Sequence, residues 1–157
     1  MNSVLALFTC FNRKEKTRQA VRGLIEGNPE LSFSFVVVDD GSTDGTAEML
    51  ESEDFGARIQ VLHGDGNLFY SGGMIMGMED ILSSGQEAEY LLMMNDDVEF
   101  YPECIQKLIA QSRAQGEAVI VGATCDREGK LSYSAILYEK GIHYRFLPPG
   151  ETGVDAD

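Results

Sequence analysis

Several times in this chain an apolar run stops abruptly at a cluster of acidic, amide or glycine residues. That repeat restricts the fold more than any other feature. Tyr90-Leu91-Leu92-Met93-Met94 runs into Asn95-Asp96-Asp97, and Phe33-Ser34-Phe35-Val36-Val37-Val38 runs into Asp39-Asp40-Gly41-Ser42-Thr43-Asp44-Gly45-Thr46. Ile59-Gln60-Val61-Leu62 is followed, after His63, by Gly64-Asp65-Gly66-Asn67-Leu68-Phe69-Tyr70-Ser71-Gly72-Gly73. A continuous apolar run such as 90–94 reads as a strand buried on both faces, the habit of parallel strands covered by helices. Ligands of open α/β sheets sit outside the carboxyl ends of the strands, so these clusters fall where chemistry is expected.

The segments between the runs have helical spacing. Residues 17–26 place Ala20, Val21, Leu24 and Ile25 on one face, and Gly27-Asn28-Pro29 stops them. Val4 to Thr9 reads as a first strand, Ala47 to Glu53 as a second helix, and a Met-rich helix runs to about Leu82. Pro102 suits a first helical position, with the helix Glu103 to Gln115 turning Ile105, Leu108 and Ile109 inward. Ala118 to Thr124 is expected as a fifth strand. Asp126-Arg127-Glu128-Gly129 then turns the chain toward Leu131–Tyr138 and Ile142–Phe146 as hairpin partners. Strand–helix alternation through four units implies an α/β fold with a mainly parallel central sheet.

Composition narrows the partners. At 157 residues the chain is expected to form a single domain, burying roughly 70% of its unfolded surface. A net charge of −14 argues against nucleic acid and against an anionic membrane surface. An anionic small ligand would need a metal or local backbone donors to offset that field. Cys10, Cys104 and Cys125 lack ligand spacing and read as reduced thiols of a cytosolic protein. No signal peptide and no membrane-spanning run is visible.

Two adjacent carboxylates in a cleft repel unless a cation or donor groups compensate them. For Asp96-Asp97 a hard divalent ion shared with substrate phosphates is the natural compensator; a turn and cap before the next helix is the alternative. Asp39 could accept hydrogen bonds from a base or ribose, or hold a turn, and Asp44 reads as a helix cap. Phe11 suits base stacking or core packing. Arg13 and Lys14 lie near a phosphate site or simply at a helix start. His63 and His143 read as structural and the methionines as packing. The glycines before the third helix, with Asn67, would let backbone amides approach an anion.

The set Thr9-Cys10-Phe11-Asn12-Arg13, Val38 through Thr46, Gly66-Asn67 with Gly72-Gly73 and Gly77, and Met94-Asn95-Asp96-Asp97-Val98 resembles glycosyltransferase family 2 in order and spacing. The resemblance covers nearly the whole chain. It implies a GT-A fold, a Rossmann-like α/β/α sandwich, with residues 1–157 forming the nucleotide-sugar-binding part of one domain incomplete at the C-terminus. It implies a nucleotide-diphosphate sugar donor, UDP- or dTDP-linked, a glycan or polysaccharide acceptor, and Mg2+ or Mn2+. By that similarity Thr9, Phe11 and Asp39 contact the nucleoside, with Asn67 and a Gly72-Gly73 turn nearby. Arg13, Asn95 and Asp96 belong to the same donor site, and Asp97 holds the metal.

Two residues depart from the pattern. Asn95 is neutral at the first position of the DxD-like motif, so a one-carboxylate metal site of weaker affinity is expected, and Ile75 stands where relatives often carry Asn. The family's general base normally follows the segment that closes this chain, and no residue here is assigned that role. The sequence is therefore expected to be the donor half of an inverting transferase, a truncated piece inactive alone, in the cytoplasm or on the inner face of a membrane. Two other readings remain open: a sugar-phosphate nucleotidyltransferase, and a receiver-like signalling module.

Overall fold

The structure is a computed structural model and describes residues 1–126, 128–133, 136–138 and 144–146. The chain divides into two compact units, Met1–Gln106 and Lys107–Asp157. The first holds β1 (Asn2–Cys10), α1 (Lys14–Glu26), β2 (Leu31–Asp39), α2 (Thr46–Ser52), β3 (Arg58–His63), α3 (Phe69–Ser84) and β4 (Tyr90–Met93). Its strands form one sheet of order β3-β2-β1-β4, with every pairing parallel. Helix α4 (Cys104–Ala114) crosses the boundary between the units.

Side-chain alternation and register sort the core into two faces. Leu5 and Leu7 of β1 and Val36 of β2 pack with Met74 and Ile81 of α3. The other face buries Val4, Ala6, Phe8, Phe35 and Val37. Helices α1 and α2 pack together and bury Ala20, Val21, Leu24, Met49 and Leu50. Met74 and Met78 are packing residues, as the sequence suggested.

Strand β4 is not covered on both faces. Leu91 and Met93 are 45% and 53% exposed. They stand in register with Leu5 and Leu7, on the face covered by α3, but α3 lies over β1 and β2 and leaves the edge strand β4 bare. The run reads as doubly buried only if a helix reaches it, and among the described residues none does.

The glycine-rich segment also differs from expectation. Helix α3 begins at Phe69, so Gly72 and Gly73 are helical and do not form a turn. A Cβ at Gly73 would lie 2.5 Å from Thr9 Oγ1, and one at Gly77 would overlap Leu7 Cδ1. These glycines let α3 seat directly on β1 and β2, which is a packing requirement and leaves their amides inside the helix.

Pro102 lies two residues ahead of α4 because Glu103 takes φ 59°, outside the helical region. Asn28, fully buried after α1, fixes that start: its Oδ1 accepts from Ile105 N at 3.1 Å while its Nδ2 donates to Leu24 O at 2.7 Å. In the second unit the expected fifth strand over 118–124 shrinks to β5 (Thr124–Cys125), paired antiparallel with β6 (Leu131–Tyr133). Val119 is 94% exposed, so the β-branched run has propensity but no ladder to join. Asp126 to Gly129 turns the chain as expected, Gly129 N donating to Asp126 O at 3.0 Å. Within the expected 131–138 strand, β6 and β7 (Ile136–Tyr138) are described and residues 134–135 lie outside the described residues; β7 pairs antiparallel with β8 (Tyr144–Phe146). His143 lies outside the described residues.

Two glycine substitutions test the packing. Gly77→Ala gains helix propensity of about 1 kcal/mol but drives a methyl into buried Leu7, so a net loss of about 1–3 kcal/mol is expected. Gly23→Ala meets nothing within 4 Å and is expected to stabilise by up to ~1 kcal/mol. Urea midpoints read both; a stabilised Gly77→Ala would refute the close approach.

Candidate functional site

A parallel sheet brings the carboxyl ends of its strands to one edge, and a cavity of about 470 Å³ opens there, a size suited to a small-molecule ligand. It is lined by Thr9, Cys10, Phe11 and Arg13 after and within β1, Asp40 after β2, Gly66, Phe69 and Tyr70 around the start of α3, and Asn95, Asp96 and Asp97 after β4. Four separate strand ends thus supply one wall.

Each carboxylate in this region has a defined partner. Asp40 is buried; its Oδ1 accepts from Gly66 N at 2.9 Å and Leu68 N at 3.3 Å, and its Oδ2 from Phe69 N at 2.9 Å. It therefore caps the amino end of α3, where free amides favour negative charge. Asp39, 2% exposed, accepts from Ser42 N at 2.7 Å through Oδ1. Its carboxylate holds the loop and is not part of the cavity lining, which Asp40 supplies instead. Asp44 accepts from Lys14 N at 3.0 Å, Thr46 N at 3.1 Å and Thr46 Oγ1 at 2.5 Å, the capping role read from the sequence. The Thr46 hydroxyl, chiefly, and the Lys14 amide hold Asp44 below the usual carboxylate range.

The Asp96-Asp97 pair is compensated differently. Arg13 Nη1 donates to Asp96 Oδ1 at 3.2 Å and to Asp97 Oδ2 at 2.8 Å. Burial pushes the Asp96 carboxyl above its usual range; the Arg13 charge pulls it back and repulsion from Asp97 adds to the rise. The Cys10 thiol is raised further still, first by burial and then by Asp39, Asp96 and Asp44. It is thus a neutral wall residue and a poor nucleophile.

Of the residues singled out in the sequence, Thr9, Phe11, Arg13, Asn95, Asp96 and Asp97 come together at the cavity. Asn67 lies beside it on the loop between β3 and α3, its backbone and side-chain nitrogens donating to Asp65 at 2.9 and 3.4 Å. Gly72 and Gly73 sit behind the wall inside α3, Gly73 against Thr9. The lining residues that sequence reasoning did not select as site residues are Cys10, Asp40, Gly66, Phe69 and Tyr70. Adjacent aromatics in a polar, glycine-rich loop were the available signal for the last two.

Asn12 joins two of the loops. It takes φ 50°, donates its N–H to Ser42 Oγ at 2.8 Å and accepts from Thr43 N at 2.7 Å. His63 contacts Glu51 at 3.0 Å, away from the lining.

No group of three or more His, Cys, Asp or Glu side chains is placed to hold a metal ion among the described residues. The donor set that is present, two adjacent carboxylates beside an open cavity, nevertheless fits Mg2+ or Mn2+. Such hard ions use one or two carboxylates and take their remaining oxygens from phosphates and water.

Residues 6–149 match the family model described as Glycosyl transferase family 2. The chain belongs to that family. Among solved structures it is similar to TarS 1–349 of S. aureus, at 20% identity and TM-score 0.57, covering 73% of this chain and 33% of that one. The same TarS fragment in complex with UDP gives 21% identity and TM-score 0.53, over 73% and 32% of the two chains. Glucosyl-3-phosphoglycerate synthase from Mycobacterium tuberculosis, solved with phosphoglyceric acid, gives 15% identity and TM-score 0.47 over 74% and 41%. The chain thus shares the GT-A fold and spans about a third of the TarS 1–349 chain. No curated protein matches it.

The bonding of Asp40 yields a test. Asp40→Ala strands three amides at the start of α3, and a loss of about 1–3 kcal/mol is expected with lost exchange protection at Gly66 and Phe69. Unchanged protection at those amides would show that the carboxylate does not hold the loop.

Proposed function

We propose that this chain is the donor-binding part of an inverting glycosyltransferase that takes a nucleotide-diphosphate sugar. The observation carrying the reading is the cavity at the strand ends, where two carboxylates, one arginine, an exposed phenylalanine and a capped helix start converge. The family match supports glycosyl transfer over the nucleotidyltransferase and receiver readings.

Phe11, 52% exposed at the cavity, presents a ring on which a base stacks. Thr9 lies beside it at the end of β1. Asp40 and Asn67 shape the loop between β3 and α3 that closes the donor site from the other side. Uridine or deoxythymidine diphosphate is the proposed carrier; the UDP complex of a TarS structure supports the uridine choice. Asp97, with Asp96 beside it, would hold Mg2+ or Mn2+. Bound there, the ion supplies Lewis-acid stabilisation of charge developing on the leaving diphosphate.

Arg13 supplies the second positive charge near those oxygens. A hydroxyl of a glycan or polysaccharide acceptor then attacks the anomeric carbon in line, its proton taken by a carboxylate base. No residue of this chain is assigned that base. The first unit carries the donor chemistry, and residues 1–157 are read as one part of a single catalytic domain acting in the cytoplasm. No helix among the described residues is long and apolar enough to cross a membrane.

Titration calorimetry with UDP, dTDP and GDP, each with and without Mn2+, tests the reading. Metal-dependent binding of UDP or dTDP is expected, and Asp97→Ala is expected to weaken it at least tenfold, about 1.4 kcal/mol. Equal affinity of wild type and Asp97→Ala in Mn2+ would remove Asp97 from the site.

A further inference from the structure

The placement of Arg13 is not accounted for by helix stability. It is the residue just ahead of α1, its side chain makes no capping bond, and a cation at a helix amino end works against the dipole. Its Nη1 instead bridges two carboxylates that lie 83 and 84 residues away in sequence. The Asp96 side chain is 9% exposed, Asp97 is 36% exposed and Arg13 is 47% exposed, so the arginine reaches the pair from the open side of the cavity. Among the described lining residues Arg13 is the one cation.

We infer that Arg13 is an internal counter-ion which competes with the divalent metal for Asp97 and passes to the diphosphate when metal and nucleotide enter together. This rests on the donor-site reading above. A guanidinium donating to Asp97 Oδ2 at 2.8 Å and a metal ion on the same carboxylate repel each other, so metal binding displaces the arginine. Without nucleotide the displaced charge gains nothing, and metal alone binds weakly.

With nucleotide present, the planar fork of the side chain finds phosphate oxygens, a geometry it matches with two parallel bonds. Loss of its carboxylate partners is then offset. Metal and nucleotide therefore favour each other's binding through Arg13, and by linkage the effect is equal in both directions. Asn95 adds no charge beside the pair, so Asp96 and Asp97 share the one guanidinium of Arg13.

The test compares wild type, Arg13→Gln and Arg13→Lys, using Mn2+ alone by electron paramagnetic resonance and UDP at saturating Mn2+ by calorimetry. Arg13→Gln is expected to bind Mn2+ about fivefold more tightly, the scale of one lost partly exposed ion pair, and UDP at least tenfold more weakly. Arg13→Lys keeps the charge without the fork, so its Mn2+ affinity is expected near wild type and its UDP affinity reduced. A merely structural arginine would weaken both ligands together.

Mn2+ affinity unchanged or weaker in Arg13→Gln, with wild type still binding UDP and Mn2+, overturns the counter-ion role and leaves the donor site standing. Tighter Mn2+ with unchanged UDP overturns the hand-over to the diphosphate. Absence of Mn2+ and UDP binding in all three proteins overturns the inference and the donor-site reading together.

Discussion

Five carboxylates crowd one edge of a parallel sheet in a chain of net charge −14, and the site depends on how each is compensated. Asp39, Asp40 and Asp44 are satisfied mainly by backbone amides, those of Ser42, of Gly66, Leu68 and Phe69, and of Lys14 and Thr46. Their charges thereby fix three loops against one another. Asp96 and Asp97 have a side-chain partner instead, the single Nη1 of Arg13. Amide partners are built into the fold, whereas an arginine on a flexible stem can leave. The structural carboxylates and the exchangeable pair are distinguished by that difference.

Helix α3 links this edge to the core. Its amino end is held by Asp40, and its glycines press it against Thr9 and Leu7 of β1. Packing of the sheet and shape of the cavity are therefore set by the same contacts: a side chain at Gly73 would push on Thr9, a lining residue. The carboxyl end of β1 cannot shift without moving α3, and with it Phe69 and Tyr70.

The four parallel strands of the first unit were legible because each apolar run ends in residues that strands avoid, and because helical spacing separates the runs. The edge of the sheet that carries the site followed from the same pattern. Other features were hidden for physical reasons. Asp39 and Asp40 are neighbours of one type, and only the path of the loop decides which lines the cavity. Arg13 is far in sequence from the carboxylates it bridges. Glycine before a helix and glycine inside a helix against a strand look alike in sequence, so Gly72-Gly73 read as a turn. The 118–124 run shows strand propensity without a neighbouring strand to pair with, and propensity alone does not make a sheet.

The central claim is that the strand-end cavity takes a nucleotide diphosphate together with a metal ion. Nuclear magnetic resonance mapping of the 17.3 kDa chain, titrated with UDP and Mg2+ and then Mn2+, tests it most directly. Amide shifts are expected to be confined to residues 9–13, 40–46, 64–70 and 94–97, with Mn2+ broadening centred on Asp97. Shifts clustered at the opposite edge of the sheet, or broadening centred away from Asp97, would contradict it.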